Sequence, residues 1–503
     1  MYKFPKYNVA RALRLRAAPF AALAIVLAGC PPLETPDLSP RPAPGERHLV
    51  RLAHITDPQI VDEESPARSV RTEDVISVSW RPQEAWAVHT LDATLQRINA
   101  IHAAGPPVDF VLMTGDLVDL AQYNELQWFV DTMNGKVVTA DSGALDGVDR
   151  HPDPAINPKL PYRAAGLDPS IPWYTCYGNH DGLAVGNFPI DRTAPRPSDW
   201  FAPLFPIAAE MIGYHLIDPA WNFMLPTADV SPAVILGSGP PLAPGSQQVD
   251  LSALEAGPIP PDPARRFLAP RDFVALHLAS PGRPAGHGFT RRALTRGETW
   301  YSARPIPGAP LRLIVFDTVA AGPHYGLPLF YGALLREHFE TFVVPELEVA
   351  HRAGDWVILA SHHPSVEFSL PFPGETVSTE EFRAALAKYP GVLMHLVGHT
   401  HRNHASIIPG TNPYLEIETG AIIDYPQEGR ILDVFIAADG ESARVESRMF
   451  SHAENPTTHS AESYRRARID WGLRKYEPAA SGRTRSDSTG SPGDRAFTVT
   501  LRR

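Results

Sequence analysis

Seven side chains that can bind metal ions follow apolar runs typical of buried strands. They are Asp57 and Gln59, Asp116, Asn179, His362, and His399 with His401. A mixed set of oxygen and imidazole ligands suits Mn, Fe or Zn rather than Ca. Seven ligands are more than one tetrahedral ion requires, whereas two ions that share Asp116 would have four ligands each. The sequence therefore predicts a centre of two metal ions.

The spacing of these residues agrees with strand geometry. Residues two apart on an extended chain point the same way, so Asp57 and Gln59 can face one point. His54 is an odd number of residues from Asp57 and is interpreted as structural. The tetrad Gly178-Asn179-His180-Asp181 taken alone is compatible with a turn, because Gly and Asn tolerate left-handed conformations. The recurrence of polar residues after five apolar runs favours a shared site.

A sheet must position these residues. Predicted strands alternate with predicted helices along the chain, which indicates a layered α/β sheet. The five strands that end at candidate ligands are predicted at 49–56, 108–113, 171–177, 356–360 and 392–397. In such sheets the loops at the carboxyl ends of the strands line one crevice. We therefore expect the ligands to converge there, with His180 beside them.

The ordered motifs resemble those of the calcineurin-like metallophosphoesterase family over roughly residues 49–436. In this sequence they read Asp57-Pro58-Gln59, Gly115-Asp116-x-x-Asp119, Gly178-Asn179-His180-Asp181, His362-His363-Pro364 and Gly398-His399-Thr400-His401. The resemblance implies an α/β fold of two mixed sheets flanked by helices, a four-layer αββα sandwich. It implies a first metal bound by Asp57, Gln59, Asp116 and His401, and a second bound by Asp116, Asn179, His362 and His399.

Two positions of the motifs require a choice. His362 rather than His363 matches the family ligand, because that ligand stands two residues before the proline. Gln59 departs from the pattern, since most members have histidine at this place. An amide oxygen is a weaker and harder donor than imidazole, which predicts a looser first site or a shift toward Mn or Mg. Some relatives share the Asp-Pro-Gln form, so the departure does not by itself predict inactivity.

The resemblance also implies an activity, the metal-dependent hydrolysis of a phosphate ester. His180 is then expected to stabilise the transition state or to protonate the leaving oxygen, and Asp181 is a candidate for orienting its imidazole. His404 and Asp424 are candidate substrate contacts, although a polar surface loop is the default interpretation of both. The sequence does not separate monoester from diester substrates.

The N-terminal stretch predicts export and anchoring. Residues 1–29 contain five Lys and Arg residues, no acidic residue, and an apolar stretch at 17–28 that is too short to span a bilayer. The ending Leu27-Ala28-Gly29-Cys30 resembles a bacterial lipobox, in which the cysteine is lipidated. Ordinary signal cleavage near Ala28 is the alternative. Several acyl chains on Cys30 would give stable anchoring, so we expect a lipoprotein of the bacterial cell envelope, periplasmic or on the cell surface.

The remainder of the chain is predicted to have three parts, the second of which contains an insertion. Residues 30–46 form a proline-rich tether, and 47–450 form the metallophosphoesterase domain. Within that domain, 182–298 has weak periodicity and many prolines, which predicts an insertion that acts as a lid; a proline-rich spacer is the alternative. Residues 451–503 form a C-terminal extension with a basic helical stretch and a segment, 480–495, whose composition is typical of disorder.

The charge balance argues against nucleic acid as a partner. The net charge is −11, and removal of residues 1–29 makes it −16, which is poorly suited to binding phosphate backbones. The expected partners are a small phosphorylated substrate and, through the lipid, the membrane; the oligomeric state stays open. The main alternative is a catalytically weak or inactive metal-binding lipoprotein of the same fold. A nuclease has the right chemistry but the wrong charge.

Overall fold

The structure is a computed structural model that describes only part of the chain. The described residues are 37–65, 81–143, 154–184, 186, 188–189, 217–218, 223–224, 262–319, 332–368, 375–474 and 488–503. The predicted signal peptide and residues 30–36 of the tether, Cys30 among them, lie outside the described residues. None of the helices in the described ranges combines the length and the apolar character needed to cross a bilayer.

Two six-stranded mixed sheets form the centre of the described part. In chain order their strands are β1 (Arg47–Ile55), β2 (Phe110–Met113), β3 (Trp173–Thr175), β4 (Tyr301–Ala303), β5 (Leu311–Val315), β6 (Trp356–Ala360), β7 (Val392–Val397), β8 (His404–Ile408), β9 (Tyr414–Glu418), β10 (Glu428–Ile436), β11 (Ser442–Ser451) and β12 (Phe497–Arg502). The first sheet has the order β12-β11-β10-β1-β2-β3, and the second has the order β4-β5-β6-β7-β9-β8.

The strands that carry the predicted ligands are parallel within each sheet. In the first sheet β1 pairs in parallel with β2, and β2 with β3. In the second sheet β5, β6, β7 and β9 are parallel neighbours, and antiparallel strands close both edges. Parallel neighbours end on the same side of a sheet, so the loops after them meet there.

Helices cover the two sheets. In chain order they are α1 (Ala87–Ala104), α2 (Tyr123–Met133), α3 (Asn179–Gly182), α4 (Pro270–Ala279), α5 (Arg291–Arg296), α6 (Arg336–His338), α7 (Val344–Ala353), α8 (Thr379–Leu386), α9 (Thr458–Arg474) and α10 (Pro492–Arg495). Local sequence accounts for their ends. A capping box of Ser378 and Glu381 begins α8, and Gly354 ends α7 in the left-handed conformation.

Apolar side chains along β5 and β6 point alternately to the two faces of the sheet, so each face packs against a different layer. Leu313 and Ile358 belong to the large core that both sheets share. Their neighbours Ile314 and Leu359 point to the opposite face and belong to a second core, which contains residues of α7 and α8. The first sheet shares its core with the apolar face of α1. The predicted four-layer α/β sandwich is confirmed.

Two segments at the predicted domain boundaries are part of the folded body. Phe273 of α4 and Phe289, which lie late in the predicted insertion 182–298, are buried in the large core. At the C-terminus, β12 pairs antiparallel with β11 and extends the first sheet. Of the segment 480–495 the structure describes 488–495, and these residues contain α10. Most of 182–261 lies outside the described residues.

Candidate metal centre

The predicted ligands follow the ends of five strands. Asp57 and Gln59 follow β1, and Asp116 follows β2. Asn179 begins α3 after β3, His362 follows β6, and His399 and His401 follow β7. All seven side chains are buried or nearly so. The parallel strands of both sheets thus direct their polar endings to one place, as the sequence predicted.

The backbone of these loops is strained where ligands occur. Asp57, Gln59, Asp116, His399 and His401 have φ angles between 39° and 66°, in the left-handed region that residues other than glycine rarely adopt. Within the described residues only three other non-glycine residues have positive φ. Such strain persists where the surrounding structure imposes it, typically at functional sites.

Two glycines of the motifs let the loops approach each other. A Cβ on Gly178 would lie 2.2 Å from Oδ1 of Asp116, and one on Gly398 would lie 2.6 Å from Oδ2 of Asp57. Both distances are far below contact distance, so a larger residue would displace the neighbouring ligand. The glycines in these motifs are therefore required by packing around the ligands.

Asp57, Gln59 and His401 form the first group with Asp116. Nε2 of His401 lies 3.2 Å from Oδ1 of Asp57. The amide nitrogen of Gln59 lies 3.3 Å from Oδ2 of Asp116 and 3.4 Å from Nε2 of His401. A half-turn of the amide places its oxygen at the same point, because the two ends of an amide are nearly equal in size. Gln59 is therefore within reach of the ligands with which it was predicted to share a metal ion.

His362, Asn179 and His399 form the second group. Nε2 of His362 lies 3.1 Å from Oδ2 of Asp116, and Nδ1 of His399 lies 3.1 Å from Oδ1 of Asn179. His363 lies nearby, with Nδ1 2.8 Å from the hydroxyl of Thr318. His362, rather than His363, contacts Asp116. The carboxylate of Asp116 contacts both groups through the same oxygen.

The donor atoms fit metal ions. Oδ1 of Asp57, Oε1 of Gln59 and Nε2 of His362 are buried and make no hydrogen bond of good geometry. Buried polar atoms are nearly always hydrogen-bonded, so such atoms need an explanation. Two groups of three metal-binding side chains each have their ligand atoms within 4.8 Å of one another: Asp57, Asp116 and His401 in one, and His362, His363 and His399 in the other. Carboxylate, amide and imidazole donors together suit Mn, Fe or Zn.

The charge distribution of the centre also favours cations. Burial raises the pKa of Asp116, but His362 and His180 beside it lower that pKa, which lies well below its usual range. Burial lowers the pKa of His362, and Asp116 raises it, to about 10. Burial likewise lowers the pKa of His401, and the charge of Asp57 raises it, to about 9. The buried carboxylates thus stabilise positive charge within the centre.

His180 is held by Asp119 rather than by Asp181. Nδ1 of His180 lies 2.8 Å from the carbonyl oxygen of Asp119 and 3.1 Å from its carboxylate. Nε2 of the same ring lies 4.0 Å from Asp116 and so faces the metal ligands. Burial lowers the pKa of His180, whereas Asp116 and Asp119 raise it, and the net change is upward. A raised pKa suits a group that must hold a proton and then donate it.

The predicted role of Asp181 is corrected by its contacts. Its carboxylate accepts hydrogen bonds from the backbone N–H groups of Leu117, Val118 and Gly178. Burial and the charge of Asp116 raise its pKa to about 8. Asp181 therefore joins the loop after β2 to the loop after β3, and it does not orient His180. Asp181 follows His180 in sequence, but its side chain points away from the imidazole because the chain turns into α3 here.

Asp424 and His404 were candidate substrate contacts, and the structure gives them other partners. Oδ2 of Asp424 lies 2.7 Å from Nδ1 of His401, so the carboxylate orients the imidazole of a predicted metal ligand. Nδ1 of His404, at the start of β8, lies 3.1 Å from Asp494 near the C-terminus. Sequence reasoning also missed Glu367, whose carboxylate lies 3.2 Å from Nε2 of His399. No local motif marks Glu367, which ends the short 3-10 helix Ser365–Glu367 after the His-His-Pro stretch.

The comparison with family models agrees with the first three motifs. The family model described as calcineurin-like phosphoesterase matches residues 50–222, which include Asp57, Asp116, Asn179 and His180. Among solved structures, the chain is similar to a dimetal phosphatase from Danio rerio, with 14% identity and a TM-score of 0.36, over 81% of this chain and 97% of that one. The comparison with curated proteins gave no match. Residues 50–222 therefore resemble calcineurin-like phosphoesterases, and the ligand geometry agrees with a metal-dependent phosphoesterase.

Proposed function

We propose that the chain hydrolyses a small phosphate ester, mono- or diester, with two metal ions that share Asp116. The observation that carries the proposal is the position of that carboxylate. Its Oδ2 lies 3.1 Å from His362 of the second group and 3.3 Å from the amide of Gln59 in the first. One carboxylate that contacts both ligand groups is what a pair of ions with a common ligand requires.

Each residue has a defined part in this proposal. When bound, two metal ions would neutralise phosphoryl oxygens and make a bound water nucleophilic near neutral pH. Asp57, Gln59 and His401 would hold one ion, and Asn179, His362 and His399 the other. His180, held by Asp119, would donate a proton to the leaving oxygen or a hydrogen bond to the phosphoryl group.

A catalytically weak metal-binding protein of the same fold is the second candidate. Gln59 favours it, because its amide is a poorer donor to Zn or Fe than the imidazole common in the family. The buried His180–Asp119 contact favours turnover, since a binding protein has no need for a held proton donor.

Location and partners are part of the proposal. A lipid on Cys30 would anchor the protein in the bacterial cell envelope, on the periplasmic side or on the cell surface. A net charge of −16 without residues 1–29 argues against nucleic acid as a substrate. Incorporation of a labelled fatty acid into the wild-type protein, and its loss in Cys30→Ser, tests the anchor. Wild-type protein without label would contradict it.

Metal analysis of the purified domain, with monoester and diester hydrolysis assayed in parallel, tests the function. We expect about two ions per wild-type chain and hydrolysis that a chelator abolishes. Asp116→Asn is expected to lower occupancy at both sites, because a neutral amide cannot bridge two cations as a carboxylate does. His401→Ala is the matched variant and is expected to reduce the first site chiefly. At most one ion in wild-type protein supplied with Mn, Fe and Zn would exclude the dinuclear centre.

A further inference from the structure

Arg81 is a buried arginine beside the metal centre that no motif of the sequence marks. It precedes the short helical turn Glu84–Trp86 at the start of α1, and its relative exposure is 1%. Nε of its guanidinium lies 2.9 Å from Oδ1 of Asp424. Nη1 of the same group lies 3.8 Å from Oδ1 of Asp119. One cation is therefore placed between two carboxylates.

Each of these carboxylates contacts a histidine of the site. The other oxygen of Asp424, Oδ2, lies 2.7 Å from Nδ1 of His401, a first-metal ligand. Oδ1 of Asp119 lies 3.1 Å from Nδ1 of His180. Two chains of contacts thus begin at the guanidinium of Arg81. One runs through Asp424 to a metal ligand, and the other runs through Asp119 to the proton donor.

A guanidinium is suited to this place. Its planar fork has donors in fixed directions, which suits it to orienting two carboxylates relative to each other. A buried charge is unfavourable unless it is paired. Burial lowers the pKa of Arg81, but Asp424 and Asp119 raise it, with Glu84 and Asp470 contributing, and the net change is upward. The group therefore stays charged between its partners.

The surrounding elements hold Arg81 in position. Its backbone N–H donates to the carboxylate of Glu84 at 2.8 Å. The side-chain amide of Gln83 donates a hydrogen bond to Oδ1 of Asp424 at 3.2 Å. Arg81 and Gln83 therefore contact the same carboxylate. From α9, Arg466 lies over the ring of Trp86 at 4.2 Å and donates to the carbonyl oxygen of Pro82. Helix α9 thus packs against the segment that carries Arg81.

We propose that Arg81 is a positioning residue shared by the first metal site and the proton donor. Through Asp424 it orients His401 toward the first metal ion, and through Asp119 it orients His180 toward the leaving oxygen. The inference rests on the proposed function, because both histidines acquire their roles from it. A residue that packs the fold alone would not affect these two properties selectively.

The test compares Arg81→Met with wild type by two measurements. Calorimetric titration of metal-free protein with Mn²⁺ reports first-site affinity, which is expected to fall about 10-fold or more, as for other residues behind metal ligands, while second-site affinity is kept. Hydrolysis of an alkyl phosphate and of p-nitrophenyl phosphate reports the proton donor. The alkyl ester should lose more rate, because a poor leaving group needs the proton more. Arg81→Lys keeps the charge and is expected to recover part of both losses.

Three further variants separate the contributions. Asp424→Asn is expected to lower Mn²⁺ affinity without changing the preference between the two esters, and Asp119→Asn is expected to do the reverse. Arg51→Met removes another buried arginine. Arg51 lies in β1 and pairs with Asp433 of β10. It lies six residues before Asp57, roughly 20 Å along an extended strand, and should leave both properties unchanged.

The outcomes distinguish the two hypotheses. If wild-type protein binds fewer than two ions, the proposed function fails before any Arg81 variant is compared. If wild-type protein binds two ions and folded Arg81→Met matches it in affinity and ester preference, the role of Arg81 is wrong. A change in one property alone would exclude the shared role. If Arg81→Met does not fold, by circular dichroism and thermal unfolding, Arg81→Lys decides between the same outcomes.

Discussion

Gln59 is the residue at which this metal centre differs from its family pattern. Its side chain is 1% exposed, and its amide lies against Asp116 and His401. A neutral amide contributes one oxygen of modest donor strength, whereas imidazole is a good ligand for Zn and Fe. The first metal would therefore be held mainly by Asp57, Asp116 and His401. We therefore expect the first site to bind its metal ion more weakly than the second.

Replacement of Gln59 by histidine tests this point. Gln59→His should raise first-site affinity for Zn²⁺ by about 10-fold or more, in the range that ligand changes produce. Histidine tolerates the positive φ of 39° at this position better than most residues do. Titration of the metal-free proteins with Mn²⁺ and Zn²⁺ measures the effect. Turnover need not rise, because a more tightly bound metal also holds its hydroxide more firmly.

A matched substitution controls for the added imidazole. Gln96→His places histidine on α1, where the glutamine side chain donates a hydrogen bond to Asp92, and should leave both metal affinities unchanged. Unchanged first-site affinity in Gln59→His, for Mn²⁺ and Zn²⁺ alike, would show that Gln59 does not coordinate. The first ion would then be bound by Asp57, Asp116, His401 and water.

At the scale of elements, parallel strands explain why residues so distant in sequence meet. β1 and β2 of one sheet, and β6 and β7 of the other, end on the side where the ligands lie. The segment 262–298 belongs to this framework, since Leu268, Phe273 and Phe289 are buried in the large core. The predicted lid must therefore be sought in the earlier part of 182–298.

Shortening the insertion tests this division. Replacement of 191–261 by a Gly/Ser linker of about 20 residues should leave metal content and unfolding temperature close to those of wild type, and should change the choice of substrate. Residue 186 is kept because its carbonyl oxygen accepts a hydrogen bond from Asn179. Metal analysis, thermal unfolding and a panel of phosphate esters measure the result.

A longer deletion is the matched contrast. Removal of 191–298 also takes away Phe273 and Phe289, and loss of one buried phenylalanine typically costs about 3–5 kcal/mol. This variant is expected not to fold. If the shorter replacement also fails to fold, the segment 191–261 belongs to the core rather than to a lid.

At the scale of the whole molecule, buried histidines make stability depend on pH. Burial lowers the pKa of six of them to about 3 or 4: His54, His89, His277, His287, His338 and His452. In the unfolded chain a histidine has a pKa near 6.5. Between these values the unfolded state binds more protons, so the free energy of unfolding must fall as pH falls.

The expected result is acid destabilisation that begins below about pH 6.5. Each such histidine contributes up to about 1.4 kcal/mol per pH unit until its folded pKa is reached. Thermal unfolding of wild type and His452→Gln between pH 7.5 and 5 measures one contribution, because the difference between the two curves isolates His452. The variant should lose less stability on acidification. Parallel curves would show that His452 does not stay neutral in the folded protein.

The sequence alone was sufficient for most of the elements that carry the predicted ligands. The strands at Trp356–Ala360 and Val392–Val397 have the predicted bounds. These features depend on local patterns: an apolar run forms a buried strand, and the polar residues directly after it lie at the edge of the sheet. Short or weakly apolar strands such as β8 and β12 were missed, because their pairing partners rather than their own residues make them strands.

Only the tertiary structure decided which groups stand behind the ligands. Asp119 rather than the adjacent Asp181 holds His180, Asp424 supports His401 instead of facing solvent, and Arg81 lies between the two carboxylates. These contacts join loops after β2 and β9 to the segment before α1. Their partners are set by the order of strands in the sheet and by the direction in which each loop turns, and neither has a local sequence pattern.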